Sequence, residues 1–241
     1  MLFDGTSLDG WQMSTIRNQP GRDNPGRFIL VGGALEAITG TDLGLLWHTT
    51  KTPADFVLKL EWRTFRADDN SRVFLRFPHP NSKNYDNTAF VGVDFGFEVQ
   101  IDQLGQPDAA GVHKTGVIYS FAAPTSVPTK PLGEWNSYEI TVQGQNYTVR
   151  LNGINVTNFA FVAGSDPAHP DRGLPTTSTV PRFIGLQTHT GRVGFRRIQI
   201  KALRQPFICP FGRGLVCGFC KSRRSTLRSS TEAWVRPLAV S

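Results

Sequence analysis

Residues 138–159 read YEITVQGQNYTVRLNGINVTNF, and this stretch decides the fold. Tyr138 to Val142 and Tyr147 to Leu151 pair as a hairpin, and Asn152-Gly153 turns the chain into a third run, Ile154 to Phe159. Asn-Gly supplies the positive φ angles that a two-residue hairpin turn requires, so this is the strongest short-range β signal in the chain. The same grammar extends outward in both directions. Phe28 to Val31 and Ala34 to Ile38 flank Gly32-Gly33. From Phe56 to Phe65 the residues alternate, with Phe56, Leu58, Leu60 and Trp62 on one face and Lys59, Glu61 and Arg63 on the other. Arg72 to Phe77, Phe95 to Ile101, Gly116 to Phe121, Phe183 to Gln187 and Val193 to Lys201 complete the set. No stretch carries a helical stripe over three turns. About a dozen short strands with tight turns predict an all-β sandwich or barrel.

The chain has 241 residues, with 26 Lys and Arg against 19 Asp and Glu, for a net charge of +7. Its hydrophobic fraction of 39% is that of a folded domain. No apolar run reaches the roughly 18 residues of a membrane span. The first residues lack the basic and apolar regions of a secretory signal, and the sequence begins at the domain edge, so a leader upstream remains compatible with it. The charge is local. Residues 204–241 hold seven bases against one acid, Glu232, a net +6, while the first 203 residues carry 19 bases and 18 acids, a net +1. All three cysteines, Cys209, Cys217 and Cys220, lie in that terminal segment, which reads as a disordered basic extension. A lone Cys-x₂-Cys without His falls short of a four-ligand zinc site. A near-neutral domain with no base-reading motif argues against specific nucleic-acid binding.

Parity picks out a polar face. In Phe97 to Asp102, residues Glu98, Gln100 and Asp102 point opposite to Phe97, Val99 and Ile101. Gln187 and His189 share a face, and Phe74 and Arg76 share parity on their strand. An ordinary half-solvated sheet shows the same alternation. Glu98 and Asp102 stand four residues apart on one strand, ~13 Å, too far for the carboxylate pair of a glycosidase. Such a pair needs a partner from another strand, for instance Glu61 or Glu139. The long connections, 102–115, 122–133 and 162–181, have the length and composition of functional loops. His48, His79 and His169 lack supporting context and are expected to face solvent.

Seven blocks, in order, resemble a known family. They include Leu2-Phe3-Asp4-Gly5-Thr6, Asp55 to Arg63, Asn70 to Arg76, Gly96 to Asp102, His113 to Tyr119, Gly133 to Asn136 and Gly185 to His189. Together with Leu151-Asn152-Gly153 and Val193 to Ile198, they resemble the 3-keto-disaccharide hydrolase domain (DUF1080) over residues 2–203. The resemblance implies a concanavalin-like jelly roll of two antiparallel sheets and cleavage of 3-keto-glycosides by elimination and rehydration. It implies Glu98 or His113 as base or acid, and Arg76 and Lys114 as stabilisers of enolate charge. Gln100, Asp102, Tyr119, Gln187, His189 and Glu61 would orient the sugar. A carbohydrate is the implied partner and no redox cofactor is required. A divalent metal on Glu98, Asp102, His113 and His189 fits their donor types, but no tight ligand spacing supports it. Periplasmic or extracellular location follows from the resemblance. One departure is Arg72, where the family has a small residue; a bulky cation there is expected to narrow the site. The alternative from another class is a non-catalytic carbohydrate-binding module on the same fold.

Overall fold

The computed structural model describes residues 1–172 and 182–203. The basic extension 204–241 with its cysteines, and the end of the 162–181 connection, lie outside the described residues. The chain forms a jelly-roll β-sandwich of two antiparallel sheets. The five-stranded sheet runs β1 (Trp11–Met13), β4 (Gly44–His48), β11 (Phe183–Thr188), β6 (Asn70–Phe77), β7 (Phe97–Asp102). The seven-stranded sheet runs β10 (Ile154–Ala160), β9 (Asn146–Leu151), β8 (Asn136–Gln143), β5 (Phe56–Thr64), β12 (Val193–Ala202), β3 (Ala34–Ile38), β2 (Arg27–Val31). Among the described residues no helix is long and apolar enough to cross a membrane.

The expected alternation on β5 is the core of the larger sheet: Phe56, Leu58, Leu60 and Trp62 are at most 2% exposed. They meet Val73, Leu75, Phe97, Val99 and Ile101 from the inner face of the smaller sheet. Truncating one such leucine to alanine costs about 2–5 kcal/mol. The Asn152-Gly153 turn forms as read, with φ of 51° and 82°.

Three features depart from the sequence reading. Gly116 to Phe121 is not a strand. Gly116 at φ 90° and Ser120 at φ 63° break its extension, so it pairs with β7 only through isolated bonds such as Tyr119 N–H to Glu98 O, 2.9 Å. A short helix, α1 (Phe90–Phe95), was not anticipated, because six residues are too few to print a helical period. The outer face of the small sheet is also not solvated. Every residue of β6 and β7 is buried, including the polar ones. Near α1 this face is apolar: Leu45, Trp47, Phe74, Phe77 and Phe183 pack together with Val93 of the helix. Beyond that cluster it turns polar, and the candidate site begins there.

Candidate active site

Strand register assembles a polar row on the outer face of the small sheet. Arg72 on β6 stands opposite Gln100 on β7, and Phe74 stands opposite Glu98. On the other side of β6, Gly185 pairs with Phe74 and Leu186 with Val73. One further step of that antiparallel register brings Gln187 beside Arg72. Arg72 is only 7% exposed. Its Nε donates to Gln100 Oε1 at 2.5 Å and lies 2.8 Å from Glu98 Oε2. The second contact is a charge contact only, since the N–H points at Gln100 and the buried Glu98 Oε2 accepts no hydrogen bond from the described residues. The Arg72 guanidinium lies over the Tyr119 ring, 4.3 Å from its centroid, and the His113 ring stacks on the same tyrosine at 4.9 Å. The loop after β7 therefore folds His113 and Tyr119 back onto the row. His113 Nδ1 is held 2.6 Å from Asp108 Oδ1.

Glu98 and Tyr119 also line a pocket of about 350 Å³. Small-molecule sites begin at roughly 300 Å³. Asp94 of α1 and Asp166, His169 and Arg172 of the loop after β10 are the other charged or titratable groups of its wall, and Val93 of α1 is apolar lining. Burial pushes the Glu98 carboxyl above its ordinary value; the charges of Arg72 and Arg172 oppose that and Asp94 adds to it. Asp94 accepts from the Tyr85 hydroxyl at 2.5 Å and lies 3.6 Å from His169 Nε2. Burial, and then the Asp94 carboxylate it donates to, push the Tyr85 hydroxyl up to about 12, so it stays a donor. Arg172 fastens the loop to the helix: it donates to the carbonyls of Val93, 2.9 Å, and Gly96, and to Asp166 Oδ2 at 2.7 Å. Those carbonyls belong to the C-terminal turn of α1, which lacks internal partners.

The structure thus brings Glu98, Gln100, Tyr119 and His113 together, with Gln187 beside them, and places the other expected residues elsewhere. Arg76 is a correction. Its φ of 55° breaks the strand alternation and turns the side chain away from the polar row. It donates to the carbonyls of Ala54 and Gly144 and meets Asp55 Oδ1 at 3.2 Å, tying the two sheets together. Glu61 lies on the other sheet, paired with Arg196 at 2.6 Å and Arg197 at 3.0 Å, and Glu139 lies there too, beside Lys59. Neither is a carboxylate partner for Glu98. Asp102 anchors a turn, accepting from Asn70 Nδ2 and the amides of Leu104, Gly105 and Gln106 at 2.8–2.9 Å. Lys114 caps the 3-10 turn Gly111–His113, and its stem packs on Gly105. His189 is exposed past the end of β11, bonded to Thr190 Oγ1. Among the described residues no three His, Cys, Asp or Glu side chains are placed to hold a metal ion, so the proposed quartet is not assembled.

His169, expected to face solvent, instead lines the pocket beside Asp94. The usable signal was its place in the long connection after β10; Asp94 and Tyr85 gave none, because helix α1 was not foreseen. Arg72 does fill the polar row, as its bulk predicted.

The described residues form a jelly-roll sandwich with this pocket beside β7; a second pocket, about 360 Å³, lies on the larger sheet, where Glu61 and Glu139 line it. The chain belongs to the family of the 3-keto-alpha-glucoside-1,2-lyase-like domain, whose model matches residues 1–201. Two crystal structures from Parabacteroides distasonis, each described as a "putative glycosyl hydrolase", are similar. The first is 22% identical with a TM-score of 0.64, over 84% of this chain and 93% of that one. The second is 24% identical with a TM-score of 0.60, over 84% and 98%. The exoplasmic/lumenal domain of VIP36 is 11% identical, with a TM-score of 0.53 over 85% of this chain and 89% of that one. At these identities the likeness is one of fold. No curated protein matches the chain.

Proposed function

We propose that this domain cleaves 3-keto-glycosides in the pocket beside β7, with Glu98 as the proton-transfer group. The observation that carries the reading is a buried carboxyl, pushed above its ordinary value, on the wall of a cleft of about 350 Å³. A ketone at C3 acidifies the proton at C2. The Glu98 carboxylate takes that proton, and charge moves onto the C3 oxygen. The Tyr119 hydroxyl and the charge of Arg172, both on the pocket wall, would hold this oxyanion. The C1–O bond then breaks as the C1–C2 double bond forms, and His169, beside Asp94, gives the leaving oxygen its proton. Water adds at C1 and a proton returns to C2, releasing the free 3-keto sugar. Gln100, buried below the pocket, holds Arg72 beside Glu98, and His113 backs the Tyr119 ring. The family's name supports the substrate class.

The binding-module reading calls for exposed aromatic platforms. Among the described residues no Trp, Tyr or Phe is fully exposed. The deciding experiment incubates the protein with 3-keto-trehalose and with trehalose and measures released sugar. Release from the keto sugar alone is expected, with Glu98→Gln slower by about 10²–10⁴-fold. Release from neither, together with glycan binding, overturns the proposal and leaves a carbohydrate-binding module.

A further inference from the structure

We infer that Arg72 is a positioning residue that keeps Glu98 charged by standing beside its buried oxygen, Oε2, without donating a hydrogen bond to it. This rests on Glu98 being the proton-transfer group proposed above. A carboxylate this buried, 6% exposed, takes up a proton unless an opposite charge stands close. A cation hydrogen-bonded to the carboxylate would keep it charged but would also stabilise the ionised form through its lone pairs and weaken it as a base. Arg72 separates the two effects. Its Nε–H is spent on Gln100, 2.5 Å away, so Glu98 Oε2 at 2.8 Å feels the charge without accepting a bond. Two things hold the guanidinium in that orientation: the Gln100 amide and the face of Tyr119 at 4.3 Å. Register makes the arrangement possible, because Arg72 is diagonal to Glu98 across the β6–β7 pair and a long side chain spans that diagonal.

The other groups facing Glu98 do not replace it. Arg172 acts from the loop after β10 but is engaged by Asp166 and by α1 carbonyls. Asp94 on α1 opposes ionisation, and His169 already faces Asp94. Tyr119 carries the guanidinium on its ring face.

The test follows the Glu98 carboxyl directly by carbon NMR titration of the full chain labelled at glutamate side chains, with Glu98→Gln identifying its signal. In Arg72→Met the titration midpoint is expected to move to higher pH, and in Arg72→Lys, which keeps the charge, to stay nearer the wild type. Where turnover of 3-keto-trehalose is present, the acid limb of kcat/KM moves with it, a loss of about tenfold at fixed pH for each unit of displacement. A folded Arg72→Met with an unmoved Glu98 midpoint overturns the inference, whatever the turnover. If no keto sugar is cleaved, the catalytic reading fails while the titration still decides the Arg72–Glu98 relation. Should Arg72→Met not fold, Arg72→Met/Glu98→Gln is expected to recover folding, because the stranded charge is gone. A double variant that also fails assigns Arg72 to packing alone and overturns the inference.

Discussion

Glu98 makes opposite demands on activity and on stability. As a base it works only when ionised, so activity is lost as pH falls through its raised value, above the ordinary carboxylate range. For stability the sign reverses. A carboxyl whose value is higher folded than unfolded binds its proton more tightly in the native state, so its contribution is full below the ordinary value and is lost as pH rises toward the raised one. The stability of the wild type minus that of Glu98→Gln should therefore fall with rising pH across that window, measured by urea unfolding at several pH values. A difference that rises with pH shows that Arg72 and Arg172 outweigh burial. His169 predicts a different pattern. If it protonates the leaving oxygen, His169→Gln should slow keto-sugars with alkyl leaving groups by about 10²-fold or more, and those with phenol leaving groups, which depart unaided, much less. Arg76 is the contrasting case. It is 3% exposed and bound to carbonyls of the opposite sheet, so Arg76→Met should cost about 3–5 kcal/mol in unfolding. The folded fraction should keep its kcat, because Arg76 does not reach the pocket. Sequence parity alone could not separate Arg72 from Arg76: both precede an aromatic or branched neighbour on the same strand, and only the positive φ at Arg76 sends it to the other sheet.

Among the elements, the legible ones were those whose burial is one-sided. β5, β8 and β9 bury alternate residues, so their periods show through the sequence and their register followed from the turns. β4, in contrast, reads Gly-Leu-Leu-Trp-His because both of its faces are covered, and a continuous apolar run has no period to reveal. The same double covering explains why Glu98 and Gln100, read as a polar stripe, are buried. Alternation assigns a face but not what lies above it, and here the cover comes from α1 and the connections after β7 and β10. The first of those connections hangs on Asp102, whose carboxylate accepts three successive backbone amides beyond the strand. Asp102→Ala leaves these donors unpaired at about 1–3 kcal/mol in total stability, since part of the turn re-solvates. Hydrogen exchange of the amides of 104–106 should rise first, and kcat should fall with it, because the loop carries Tyr119, the proposed oxyanion donor, to the pocket. Unchanged exchange at those amides means the turn holds without Asp102.

At the scale of the whole molecule, two sheets of unequal width divide the work. The seven-stranded sheet supplies most of the core and wears a paired, charged outer surface, Lys59–Glu139 and Arg196–Glu61 among its ion pairs. The five-stranded sheet surrenders its outer face to the site. The basic character of the chain is concentrated in residues 204–241, outside the described residues. The family match ends at residue 201, and β12, which closes the large sheet, ends at Ala202. Residues 204–241 carry a net +6 and lie beyond the family match, against a net +1 for residues 1–203. An uncharged sugar gains nothing from a strong field, whereas attraction to an anionic surface scales with local net charge and fades with salt over about 8–10 Å at physiological strength. Ending the chain at Leu203 should abolish salt-dependent retention on a cation exchanger while leaving the unfolding midpoint and 3-keto-trehalose turnover unchanged. Retention that persists in the shortened chain would place the basic surface on the sandwich itself, where the arginines of β12 and its flanks, Arg192, Arg196 and Arg197, are the next groups to neutralise.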